Sequence, residues 1–415
     1  MKFQSICLAL LLAFASFSTA YGEPSPVDVT FNKGYLVFSS KDGRYHMKID
    51  GRIMLDTGTV ESDKNDAVAK TEFRRARLAF KTLYDKKWAG EFDIDFSEND
   101  PEMKDMWVAY TAIPNANFKI GNHKPFYSMA EVTTSRWYTF METPMVTDAT
   151  APGRRIGVSA SYYQDNYFVG FSLFGDEVAV DNRDPEGDGS EPGKNEPYSY
   201  STRAVYRPFV ADDVTKFFHV GLNYLNLQPQ SDDGGKMRLR VRPESRVFDY
   251  RYLNTGKVSD VESQVSQGIE FAGRFDKIMF QTEYVETKFL RESSSTDKDA
   301  TFTGYYFETA YALIGPGRPY NLSDGEFGPV IPTGEHGDLE VAVRYSTLDL
   351  NDSGAGVTGG QSDNITIALN WYAHTNVVFR FNHTMAEMDD DANGDGDFVG
   401  GDTVTITGMR LEYLF

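Results

Sequence analysis

The chain has almost no thiol chemistry. Its single cysteine, Cys7, lies inside an N-terminal apolar stretch, so removal of that stretch leaves no disulfide, no thiolate metal site and no cysteine nucleophile. Long apolar runs are equally scarce. Beyond Ile6–Phe17 nothing approaches the ~20 apolar residues that a membrane-spanning helix requires, and that stretch itself is too short. Basic charge is in deficit: 41 Lys and Arg face 61 Asp and Glu, a formal net charge of -20, which excludes the basic footprint of a nucleic-acid binder. Catalytic signatures are missing too. The six histidines show no HExxH spacing, and no GxSxG or Walker pattern occurs. Neither an enzyme nor a cofactor is expected.

The first 22 residues read as an export signal: Lys2, the apolar Ile6–Phe17, then small residues around Ala20 and Gly22. Cys7 lies within the apolar part rather than at the cleavage point, which argues against a lipid anchor. Residues 23–44 follow as a periplasmic lead-in or extra hairpin arm. Phe (30) and Tyr (24) are abundant in a chain that is polar on average. That composition suits a membrane barrel, but also a secreted soluble β-protein such as a carbohydrate-binding module.

Alternation separates the two. Trp88, Gly90, Phe92, Ile94 and Phe96 share a face opposite Ala89, Glu91, Asp93 and Asp95; Ile365, Ile367, Leu369 and Trp371 alternate with Asn364, Thr366, Ala368 and Asn370. Sixteen such segments of about ten residues can be placed between 45 and 415. Their connections alternate between tight turns and long loops, as in a barrel with short periplasmic turns and long external loops. The connection 314–337 breaks the pattern, being long where a turn should be tight. The last strand puts Thr405, Thr407, Met409, Leu411, Tyr413 and Phe415 on one face, and a terminal Phe on such a strand is the usual signal to the barrel-assembly machinery. The expected fold is therefore an all-β, antiparallel transmembrane barrel of about 16 strands over residues 45–415, in contact with outer-membrane lipid.

The polar faces should line a lumen. On one strand Arg75, Arg77 and Lys81 point inward, next to an inward row of Glu91, Asp93 and Asp95. Such a wall either sets up a transverse field or neutralises itself. Lys236, Arg238, Arg240 and Arg242 fall on one face of an extended segment in the longest loop, followed by Arg246. A row of guanidinium groups suits a passing oxyanion, because arginine stays charged and grips phosphate with paired hydrogen bonds; a solvated strand extension is the alternative. Loop 124–153, with Arg136-Trp137-Tyr138, is long and aromatic enough to fold into the lumen as a constriction. The acidic segment 389–397 resembles half of a calcium loop, but Gly400 stands where a bidentate Glu is expected, so a solvated acidic loop is favoured.

Several motifs together resemble the phosphate-selective porin O and P family: Asp50-Gly51-Arg52, Phe73-Arg74-Arg75-Ala76-Arg77, the run Ile120–Phe126 followed by Thr133–Trp137 and Phe140-Met141-Glu142, the Arg238–Pro243 segment, Gly304-Tyr305-Tyr306 and Leu369-Asn370-Trp371-Tyr372. The resemblance covers most of the chain beyond the export signal. It implies a homotrimeric outer-membrane porin conducting small inorganic anions, with phosphate or polyphosphate favoured. It also implies that Arg238, Arg240 and Arg242 form an arginine ladder, with Arg74 and Arg75 on the wall and Arg136 in the constriction loop. A less selective diffusion porin is the alternative within the same fold.

Overall fold

A computed structural model of the chain describes residues 27–415 except 33, 99, 179–195, 232 and 249. The expected export signal lies outside the described residues.

The first two strands, β1 (Val27–Asn32) and β2 (Tyr35–Ser40), form a hairpin whose second strand pairs with the lower part of β3 (Tyr45–Ser62). The ring continues through β4 (Val68–Tyr84), β5 (Trp88–Asp95), β6 (Glu102–Tyr110), β7 (Ala116–His123), β8 (Arg155–Gln164), β9 (Tyr167–Phe174), β10 (Ser199–Val210) and β11 (Lys216–Leu227). Two short strands, β12 (Arg240–Val241) and β13 (Leu253–Asn254), pair with each other inside a loop. The ring resumes with β14 (Val261–Phe275), β15 (Ile278–Arg291) and β16 (Ala300–Ile314). A second minihairpin, β17 (Tyr320–Asn321) and β18 (Glu326–Phe327), precedes β19 (Asp338–Asp352), β20 (Val357–His374), β21 (Val377–Met388) and β22 (Thr403–Leu414).

Neighbours along the chain pair antiparallel, and β22 closes on β3, so sixteen strands form a barrel without a free edge. Closure is tight at one point. Phe415 and Gly51 exchange backbone hydrogen bonds of 2.6 and 3.1 Å, and a Cβ at Gly51 would sit 2.3 Å from the Phe415 ring.

Alternation produces the two environments. Ile365, Ile367, Leu369 and Trp371 are exposed on the outer wall while Asn364, Thr366, Ala368 and Asn370 are buried within. Apolar side chains stand out along almost every strand; facing water, at ~25 cal/mol per Å², this surface would be prohibitively costly, and lipid removes the cost. Tight turns gather at one end: Asp85 and Lys86 both take positive φ (51° and 56°), the conformation that matches strand twist in a hairpin.

Long loops gather at the other end. Two of them, L3 (124–154) and L5 (228–260), fold inward, as the aromatic content of L3 predicts. The irregular connection, T6 (315–337), leaves from the turn end and also enters the lumen. Three inserted segments explain why the inner wall is both polar and buried.

Candidate lumen and constriction site

Backbone inside a barrel has lost water and must find other partners. L3 finds them on the wall. It carries two short helices, α1 (Met129–Val132) and α2 (Met145–Thr150). Ser128 caps α1 through its side chain, and the remaining free N–H groups donate to wall carboxylates: Met129 to Glu270 (3.0 Å) and Ala130 to Glu283 (2.9 Å). Met145, first in α2, donates to Glu244 of L5 (3.1 Å).

Between the helices, residues 135–142 are tied from several sides. Asn370 donates to the Thr139 carbonyl (2.8 Å), Arg410 to the Met141 carbonyl (2.5 Å), and Arg52 to Ser135 (2.8 Å). T6 supplies Arg318, which binds Glu340 and donates to the Trp137 carbonyl (2.5 Å). The T6 finger is itself anchored: Tyr320 stacks near Phe217 and bonds His219 (2.7 Å), while Arg203 donates to the Asp324 and Gly325 carbonyls (2.7 Å each). This is why a connection expected to be a tight turn is long.

These insertions fill the β10–β22 side. Four of its buried arginines are ion-paired: Arg203 with Glu270, Arg344 with Glu244, Arg380 with Glu412, and Arg410 with Asp56. Along β3–β8 two cavities remain. The upper one, of about 530 Å³, opens toward the loops and is lined by Arg74, Glu142, Arg246 and others. The lower one, of about 430 Å³, lies toward the turns and reaches Tyr35, Lys81, Lys119 and Arg136. Both are lined by Arg75, Lys124, Tyr138 and Arg154, which therefore mark the passage between them.

A β-bulge shapes this passage. Met54 pairs with Arg75 and Leu55 with Phe73, so Arg74 is the extra residue and both arginines turn inward. Arg74 grips Glu142 with two hydrogen bonds (2.8 and 3.0 Å), and Arg410 adds a third (2.8 Å). Burial pushes the Glu142 carboxyl up, but Arg74, Arg75 and Arg410 outweigh it and hold the group well below its usual range. Arg75 has no such grip. It lies 3.7 Å from Glu142 and 3.5 Å from the Met54 sulfur, and its Nε has no partner.

The inward acidic row is neutralised in place. Asp95 binds Arg77 (2.7 Å), Asp93 lies 3.5 Å from Arg52 and 3.7 Å from Arg77, and Glu91 pairs with Lys81 (3.1 Å). Arg136 forms an ion pair with Asp50 and lines the lower cavity. Glu91, Asp93 and Asp105 stand close enough to share a cation, but Lys81, Arg77, Arg52 and Arg154 already surround them.

The arginine row of L5 lies above the cavities. Leu239 and Val241 are buried while Arg240 is exposed and Arg238 and Arg242 half-buried, so the period-two reading describes the segment. Arg238 donates to Asn254 (2.7 Å) and lies 3.9 Å from Asp395. Of the basic run only Arg246 lines the upper cavity. Arg251 joins the group: burial and the guanidinium groups of Arg242, Arg240 and Arg246 push it down to about 10. Sequence reasoning did not single out Lys124, Arg154, Arg203, Arg251 or Arg318. Arg203 had a signal, since it alternates with outward neighbours on β10; Lys124 and Arg154 flank a loop and had none. In the acidic loop, Asp389 accepts from the Gln361 and Ala392 amides (2.9 Å each), and Asn393 accepts from Gly396, so these side chains support their own backbone.

The profile of the phosphate-selective porin O and P family matches residues 47–415. The chain belongs to that family. An uncharacterised protein of Caulobacter vibrioides is 32% identical over 98% of this chain and 81% of its own length. Among solved structures, the anion-selective porin of Comamonas acidovorans aligns with TM-score 0.55 at 12% identity, over 89% of this chain and all of that one. The outer-membrane channel DcaP of Acinetobacter baumannii gives 0.54 at 12%, over 91% and 99%. This porin is an outer-membrane channel and not an enzyme. In outer-membrane barrels long loops face outward and tight turns face the periplasm.

Proposed function

We propose that this porin passes small inorganic oxyanions, phosphate or short polyphosphate among them, through the passage at Arg75, Lys124, Tyr138 and Arg154. The observation that carries the reading is the charge of the path. The lower cavity is lined by nine basic and five acidic side chains, inside a protein whose formal net charge is -20. A low-dielectric wall focuses that field, and Arg75, which lines both cavities and has no carboxylate nearer than 3.7 Å, can offer donors to an anion that sheds water. The name of the Comamonas relative, an anion-selective porin, points the same way. Arg74, Arg77 and Arg136 hold the wall and loop around the passage, and Arg238, Arg240 and Arg242 would draw anions toward the mouth.

A second reading, a less selective diffusion porin, is favoured by the upper cavity, where six basic side chains meet five acidic ones. Reversal potential across a bilayer in a salt gradient separates the two. The first expects anion preference and block of chloride current by phosphate; cation preference, or no block, overturns it. In the same reading residues 1–22 are removed on export, the strand ending in Phe415 is recognised by the assembly machinery, and the barrels associate as homotrimers.

A further inference from the structure

The tip of T6 carries charge of the wrong sign for an anion path. Asp324 and Glu326 both line the lower cavity, otherwise rich in Lys and Arg. The tip is built rather than loose. Arg203, fully buried and bound to Glu270, donates to two successive tip carbonyls. Gly325 takes φ +66°, and a Cβ there would meet the Arg203 guanidinium at 3.3 Å. Glu326 is buried, and its Oε2 has no partner. Resting on the anion reading above, we propose that Asp324 and Glu326 form a release filter: two carboxyl groups, placed periplasmic to the constriction, that weaken the hold of the lower cavity on a multivalent oxyanion and so set which anions leave it.

Flux requires binding strong enough to draw an ion in and weak enough to let it go. A basic excess around one chamber strengthens its hold on a divalent anion, and a carboxyl pair at the exit lowers that field. Glu326 also makes the filter adjustable. Burial and the neighbouring Asp324 push its carboxyl up to about 8, against the pull of Arg203 and Lys124 and a hydrogen bond from Thr133. The group is therefore mostly neutral at pH 7 and charged at pH 9, and the filter strengthens as pH rises through about 8.

Sulfate tests this, because its charge does not change over that range. In wild type, sulfate should block chloride current about 2–10-fold more weakly at pH 9 than at pH 7. Glu326→Gln should abolish that step. The double variant Asp324→Asn with Glu326→Gln keeps the backbone anchors, and should lower the half-blocking sulfate concentration and raise the anion-to-cation permeability ratio at both pH values. An anion-selective wild type with no pH step, or a folded double variant with wild-type block, overturns the filter and leaves the anion reading standing. A cation-selective wild type overturns both.

Discussion

The two sides of the lumen use the same residue types to opposite ends. Along β10–β22, Arg344 lies fully buried against Glu244, which also accepts from Ser346 and the Met145 amide. Across the lumen on β4, Arg75 is equally buried yet has an unpartnered nitrogen beside two cavities. Burial does not distinguish these two arginines; the number of carboxylate partners within 3 Å does. A fully bonded buried pair adds little net stability but costs much to break, while an under-bonded cation can be removed at little cost.

The sharpest way to break the comparison is Glu244→Ala. It leaves Arg344 only the more distant Glu308 (3.5 Å) and the Glu142 carbonyl (3.1 Å) and frees an α2 amide, so stability should fall by about 3 kcal/mol, read from urea unfolding in detergent micelles, with larger conductance as L5 loosens. Replacing Glu244 and Arg344 together with Leu should recover most of the loss. A change under about 1 kcal/mol for Glu244→Ala would mean that the filled side is held by other contacts.

Arg75→Gln tests the open side. Permeability for anions over cations should fall about tenfold, with unfolding nearly unchanged. If stability drops while selectivity holds, Arg75 belongs with the structural set. The smallest effect is expected from Gln at Arg238, Arg240 and Arg242 together. These groups lie above the cavities, partly in solvent, so selectivity should change about 2–3-fold in 0.1 M salt and not at all in 1 M, where screening acts within ~3 Å. A loss that persists in high salt would place the row in the conducting path.

Most of the barrel is legible in the sequence, because period-two alternation over ten residues has one stable solution beside lipid. The inward fold of L3 was legible from Trp137, Tyr138 and Phe140, which need something to pack on. The bulge at Arg74 was not: alternation predicts one of two adjacent residues inside, and only the pairing of Leu55 with Phe73 shows that both are. T6 defeated the turn-length rule because that rule assumes a turn facing water. A finger inside the lumen needs donors and acceptors waiting on the wall, and Arg203 and Glu340 read in sequence only as inward polar residues. Glu244 was hidden for the same reason, since its partners Arg344 and Ser346 are about 100 residues away.

The ties on residues 135–142 have a mechanical meaning. A hollow tube squeezed by the sideways pressure of a bilayer tends to go oval, and its bore would then vary with the stiffness of the surrounding lipid. Here Arg52 from β3, Asn370 from β20 and Arg410 from β22 reach the same inner segment, with Arg318 bracing it from below. They act as spokes of fixed length. All three wall strands belong to one contiguous arc, β20 to β3, so that edge of the aperture is set by side-chain reach.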